Sequence, residues 1–239
     1  MRQISDVRSV CVRQVFSLSI RGVKELFAGF SFGDFAVVYG SSSVGYLISL
    51  LCVRAQLPVQ LGGLASSVVF VDGGNSFRLY QTAKLARIHQ IDPRRVLDHI
   101  YISRAFTAYQ IVSLITQQLR NAVEMFNAKF VVISDIARMF LDKDIPEEEA
   151  KIIYRQVMEY LAGFVKENQV VLVVTCPPRL DLPRYESLKS ATCESANVVL
   201  ALKQSKYRRE FVLEKHNCFA LGKVELPFEH KTLSEFMVA

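Results

Sequence analysis

The chain has 239 residues, of which 51% are apolar and 22% charged. That supplies one large core and excludes intrinsic disorder, while 11 Gly and 7 Pro are too few for a fibrous or low-complexity protein. The net charge of +6 and an isoelectric point near 9.1 are compatible with a polyanionic partner. No continuous apolar run is long enough for a membrane span. The first residues are interrupted by Arg2, Asp6, Arg8 and Arg13, so no signal peptide is expected. The five cysteines (Cys11, Cys52, Cys176, Cys193, Cys218) are odd in number and scattered. That pattern points to a reducing cytoplasm rather than a disulfide framework. No two Cys or His fall at ligand spacing, so no metal site is expected. A mean hydropathy of +0.22 is high for a chain without membrane spans and suggests surface buried in an oligomer or a partner.

In chain order, five short Val- and Ile-rich runs are predicted as strands: Phe35 to Tyr39, Ser67 to Asp72, His99 to Ile102, Phe130 to Ile133 and Gln169 to Thr175. They are apolar at successive positions, as strands covered on both faces are. Helical segments fall between them: Tyr46 to Gln56, Ser76 to Gln90, Tyr109 to Phe126, and Pro146 to about Glu167. The last has Pro in its first turn and three Glu at the positive end of its dipole. This alternation predicts an α/β fold with a mostly parallel sheet between helices. From Asn197 the pattern changes to Val198 to Leu202, Phe211 to Leu213 and Val224 to Leu226 with polar turns between, which predicts a terminal antiparallel meander over 197–239. No linker or repeat divides the chain, so a single domain is expected, with 1–15 as its lead-in.

After the first strand, Gly40 and Gly45 enclose Ser41, Ser42, Ser43 and Val44. Strand, G-x-x-x-x-G loop and helix is the layout of a phosphate loop. Lys and Ser or Thr should follow, to neutralise phosphates and hold Mg²⁺. Here Tyr46 and Leu47 follow, and neither side chain can do that chemistry.

Further ordered passages extend the reading. Ser19 to Gly29 stands where a related family has a helix ending on glycine, and Gln56-Leu57-Pro58 precedes Gly62-Gly63-Leu64. Val71-Asp72-Gly73-Gly74-Asn75-Ser76-Phe77-Arg78 stands where a related family has Asp-Thr-Glu-Gly-Thr-Phe-Arg. Asp92 to Tyr101 with Arg104-Ala105, Val131-Val132-Ile133-Ser134-Asp135 and Val212 to His216 complete the set. Over about 16–228 the chain resembles the ATPase core of the RecA-type recombinases, especially archaeal RadA and its short paralogue RadB. The resemblance implies a single RecA-like domain and places the phosphate-binding Lys at Tyr46, the Mg²⁺ hydroxyl at Leu47, the water-activating Glu at Gly74 and the Walker B Asp at Asp135. Only the last survives. With three parts of the machinery missing, no ATP turnover and no bound cofactor are expected, ATP with Mg²⁺ being the alternative. Asp135 then reads as the cap of a following helix or turn, and Tyr46 as a plug in the vacated phosphate site.

The resemblance also places Arg179 to Ser195 at a DNA-binding loop. Its Arg179, Arg184 and Lys189 are balanced by Asp181, Glu186 and Glu194. The densest basic cluster, Lys203, Lys206, Arg208 and Arg209, is expected at a hairpin tip and is the first choice for a polyanion. The leading expectation is a catalytically inactive RadA/RadB-like paralogue, an accessory in recombination or repair. It would act through a RadA-type recombinase or self-association, with weak DNA binding and no membrane. Alternatives are a nucleotide-binding or weakly hydrolysing module, and a scaffold related to KaiC-like ATPases.

Overall fold

The five apolar runs pair side by side because neither face of any of them can be left in water. The computed structural model describes residues 15–176 and 182–226. Its strands are β1 (Phe35–Gly40), β2 (Ser67–Asp72), β3 (Ile100–Arg104), β4 (Ala128–Ser134), β5 (Val171–Thr175), β6 (Val198–Gln204), β7 (Arg209–Lys215) and β8 (Gly222–Leu226). They form one sheet in the order β3-β2-β4-β5-β1-β6-β7-β8. The six strands from β3 to β6 are parallel, and β7 and β8 run antiparallel, as the change of pattern at Asn197 predicted.

Alternate residues divide between two cores. Ala36, Val38, Val68 and Phe70 face one, while Phe35, Val37, Val69 and Val71 face the other. The first core is covered by α1 (Ser43–Arg54), α2 (Leu79–Ile88), α3 (Pro93–Asp98) and the lead-in. The second is covered by α4 (Ala108–Ser113), which passes through one π turn (Leu114–Gln118) into α5 (Leu119–Met125), and by α6 (Ile136–Met139), α7 (Glu147–Asn168) and α8 (Pro183–Ser195). α7 starts on three glutamates, as predicted, and ends at Gln169 in the left-handed region. It buries Tyr154, Val157, Met158, Leu161 and Phe164, a stripe at helical spacing. No described helix is long and apolar enough to cross a membrane.

Four expectations change. α1 begins at Ser43 rather than Tyr46. α2 begins at Leu79 rather than Ser76, because the Ser76 and Phe77 amides donate to the Asp72 carboxylate instead of a helical turn. The segment Ser19 to Gly29, expected as a helix, is a pair of turns, Val23 N–H donating to Ile20 O and Leu26 N–H to Val23 O. The stretch read as a DNA-binding loop is helical from Pro183. Pro sits in the first turn of α8, and Tyr185, Leu188 and Thr192 form its buried face. The Tyr154 hydroxyl lies 2.6 Å from Thr192 Oγ1 and ties α7 to α8.

Candidate functional site

Open α/β sheets hold ligands beyond the carboxyl ends of their parallel strands. At that end, β1, β2, β4 and β5 surround a cavity of about 250 Å³, with Gly45, Ser49, Arg78, Asp135 and Thr175 among its walls. Only Ser41 and Ser42 separate Gly40 from α1, so Ser43, Val44 and Gly45 are already helical. The Ser41 N–H is donated to Leu202 O at 2.7 Å, and the Ser41 carbonyl accepts from Val44 N–H at 3.0 Å. Ser43 N–H reaches Ser41 Oγ at 3.4 Å. A phosphate loop works by keeping successive amides free to point at an anion, and three of these, Ser41, Ser43 and Val44, are turned to the protein. Gly40 has φ +123°, and a Cβ there would run into the Leu202 carbonyl, so only glycine permits β6 to approach this closely.

Tyr46 does not fill the cavity. Its ring packs, partly buried, against the core on the α1 face and is absent from the cavity wall. Leu47 is buried in the same core. The cause is the early start of the helix, which rotates both residues past the loop. The group that lies over the first turn is Arg78, whose guanidinium Cζ and Nε stand 3.0 Å from where a Gly45 Cβ would be.

Asp72 ends β2 with 1% of its surface exposed. It accepts from Ser134 Oγ and from Ser76 N–H, each at 2.8 Å, and Arg104 Nε lies 3.6 Å away. These bonds fold the segment after β2 back across the cavity and deliver Arg78 to Gly45. Sequence reasoning gave neither residue a role. The available signal was an acidic strand end followed by Gly-Gly-Asn-Ser, a segment able to turn back on the carboxylate.

Asp135 follows β4 with φ +49°. Its side chain makes no cap to α6, contrary to the expectation. Instead its N–H donates to Thr175 Oγ1 at 3.0 Å, and Thr175 Oγ1 donates to its carboxylate at 3.1 Å. Burial raises its pKa above the usual carboxylate range, opposed by the Thr175 bond and Arg138. The carboxylate stands where a Cβ on Gly74 would be. The position matched to the water-activating Glu is therefore occupied by its neighbour.

The expected nucleic-acid residues divide. Arg179 lies outside the described residues. Arg184 is in the first turn of α8. Lys189 sits over the Tyr39 ring at 4.3 Å and 3.6 Å from Glu186. Tyr39 donates to Glu214, which also pairs with Lys203 at 3.0 Å. Burial and this carboxylate push the Tyr39 phenol well up. Arg208 lies within ion-pair reach of Glu210 and Glu225, and Arg209 opens β7. Lys206 is at the hairpin tip, its ammonium 5.2 Å from the Tyr207 ring centre. The cluster is thus at a tip, as expected, but glutamates offset much of its charge.

Among known proteins, the DNA repair and recombination protein RadA of Cenarchaeum symbiosum (strain A) is 28% identical over 109 residues, 46% of this chain and 26% of that relative. The match thus spans about a quarter of the relative's length. The Rad51 family's sequence profile matches residues 15–177. That range runs from the lead-in through β5, holding β1 to β5 and the cavity between them. With the strand order and the ordered passages from Ser19 to Asp135, it establishes that the chain belongs to the Rad51 family of RecA-type recombinases.

Proposed function

We propose that the chain is a non-hydrolysing RecA-type paralogue that serves homologous recombination or repair as an accessory, through protein association and weak DNA contact at the β6–β7 hairpin. One observation carries the reading: the groups that would serve ATP and Mg²⁺ are replaced or already engaged. Ser41 and Ser42 are the whole loop, Arg78 covers Gly45 and Asp135 fills the space at Gly74. A cavity of about 250 Å³ is below the roughly 300–1,000 Å³ usual for ligand pockets. These residues do not fit a magnesium–nucleoside triphosphate. Asp135, with its pKa raised by burial, is a poor lone ligand for a cation that binds through phosphates and carboxylates. The role in recombination draws on family membership and on the name of the RadA relative.

A second reading, a nucleotide-binding module of altered chemistry, is favoured by Arg78, which brings a cation to the start of α1. Two measurements separate the readings. Phosphate release with Mg²⁺, with and without single-stranded DNA, is expected to stay below about 1 min⁻¹. Titration with a fluorescent ATP analogue is expected to show no saturable binding. Turnover that follows the protein through purification overturns the first reading, and saturable binding without turnover installs the second. Co-purification with a RadA-type recombinase from the same cells tests the accessory role.

A further inference from the structure

At the end of α1 remote from this cavity, the lead-in, the turn after α1 and the end of α2 enclose a groove of about 770 Å³. Among the described residues, its floor holds a charge without an ion-pair partner. Arg54 is 2% exposed, its Nε donates to Ser17 O at 2.7 Å and its Nη2 to Leu61 O at 2.9 Å. Both acceptors are neutral carbonyls, and burial lowers its pKa to about 10. Beside it, His89 Nε2 is buried with no hydrogen-bond partner among the described residues. Arg21 and Lys24 stand at the rim, with Glu25 as the rim carboxylate. The walls expose apolar side chains: Val59 at 43%, Leu61 at 59% and Ile88 at 37%.

We propose that this groove docks a segment of a partner protein that presents a carboxylate flanked by apolar side chains. A buried guanidinium held, among the described residues, by two neutral carbonyls keeps a positive field that water screens poorly, and an anion entering the groove offsets the cost of its burial. The unpartnered imidazole nitrogen gives the carboxyl group a second polar contact. Val59, Leu61 and Ile88 supply the apolar area that a carboxylate alone would not need, and they are the wrong lining for a phosphate backbone, which asks for cations and stacking rings. The inference stands apart from the nucleotide reading, because the groove lies at the other end of α1 and the failure of either leaves the other intact.

The test is a phage-displayed random dodecapeptide library panned on the intact protein at low salt. Enriched sequences are expected to carry Asp or Glu beside Leu, Ile, Phe or Met. A synthetic, fluorescently labelled copy of the most enriched peptide is then followed by anisotropy. Leu61→Glu and Lys24→Glu, both at exposed positions, are expected to weaken binding at least about tenfold, as is raising salt from about 50 to about 300 mM. Lys143→Glu, at an exposed position on the opposite face of the sheet, is expected to leave it unchanged. The proposal is overturned if nothing is enriched, or if the enriched peptides are basic or uncharged. It is equally overturned if Leu61→Glu binds as the parent does, or if a single-stranded oligonucleotide displaces the peptide.

Discussion

Gly74 and Asp135 share one space. A Cβ at 74 meets the Asp135 carboxylate, which is itself held by Thr175, so a side chain can enter only by breaking that bond. Gly74→Ala is therefore expected to cost about 1–3 kcal/mol, the range for overpacking. Asp135→Ala in the same chain should return part of the loss, and the coupling is read from urea midpoints of the two single variants and the double. Additive losses would mean that the two positions do not touch. His89 gives a pH signature. Burial and the Arg54 guanidinium lower its pKa from 6.5 to about 4, so between those values the unfolded chain binds more protons than the folded one. Its contribution is complete above pH 6.5 and is lost as the pH falls toward 4. His89→Gln should show a smaller loss of stability than the parent between pH 7 and pH 5, because carboxylates that titrate in the same range contribute to both alike. The sequence gives no hint of this residue, since a lone His on an apolar helix end has many harmless roles.

At the scale of elements, α8 shows why a helix can be read as a loop. Its buried face is only Tyr185, Leu188 and Thr192, and Ser187, Ser190 and Ser195 dilute the apolar stripe. Pro183 was the better signal, being suited to a first helical turn. The start of α1 was missed for a related reason: three serines in a row suggest a loop, yet the chain turns helical at Ser43. By contrast, the β6–β7 hairpin was legible from its two apolar runs, Val198 to Leu202 and Phe211 to Leu213, and the polar tip between them. Its charges are not equivalent. Lys203 is paired with Glu214 at 3.0 Å, whereas Lys206 has the Tyr207 ring beside it. Lys206→Gln should lower the affinity for a single-stranded oligonucleotide at about 50 mM salt several-fold more than Lys203→Gln does. Equal effects in an anisotropy titration would place the nucleic-acid contact elsewhere.

For the molecule as a whole, the parallel strands were legible because β1, β2, β4 and β5 are covered on both faces. They therefore appear as unbroken apolar runs, as at Val131-Val132-Ile133 and Val171 to Val174. The state of the site was legible only in part. The resemblance sets Tyr46, Leu47 and Gly74 where the family has Lys, a hydroxyl and Glu, but the groups that stand beside those positions could not be read from the sequence. Arg78 beside Gly45 and Asp135 beside Gly74 come from other elements and are set in place by Asp72 and Thr175 through contacts between strands.

The bond from Ser41 N–H to Leu202 O has a wider consequence. In a nucleotide-driven machine the loop after β1 is the part that senses occupancy. Here that loop is bolted to the strand that carries the hairpin, and Gly40 lets the two backbones meet with no slack between them. Under the proposed reading, the hairpin's grip on nucleic acid has no clock. It neither tightens on loading nor relaxes on hydrolysis, and a complex formed through it lasts until it is diluted or competed away.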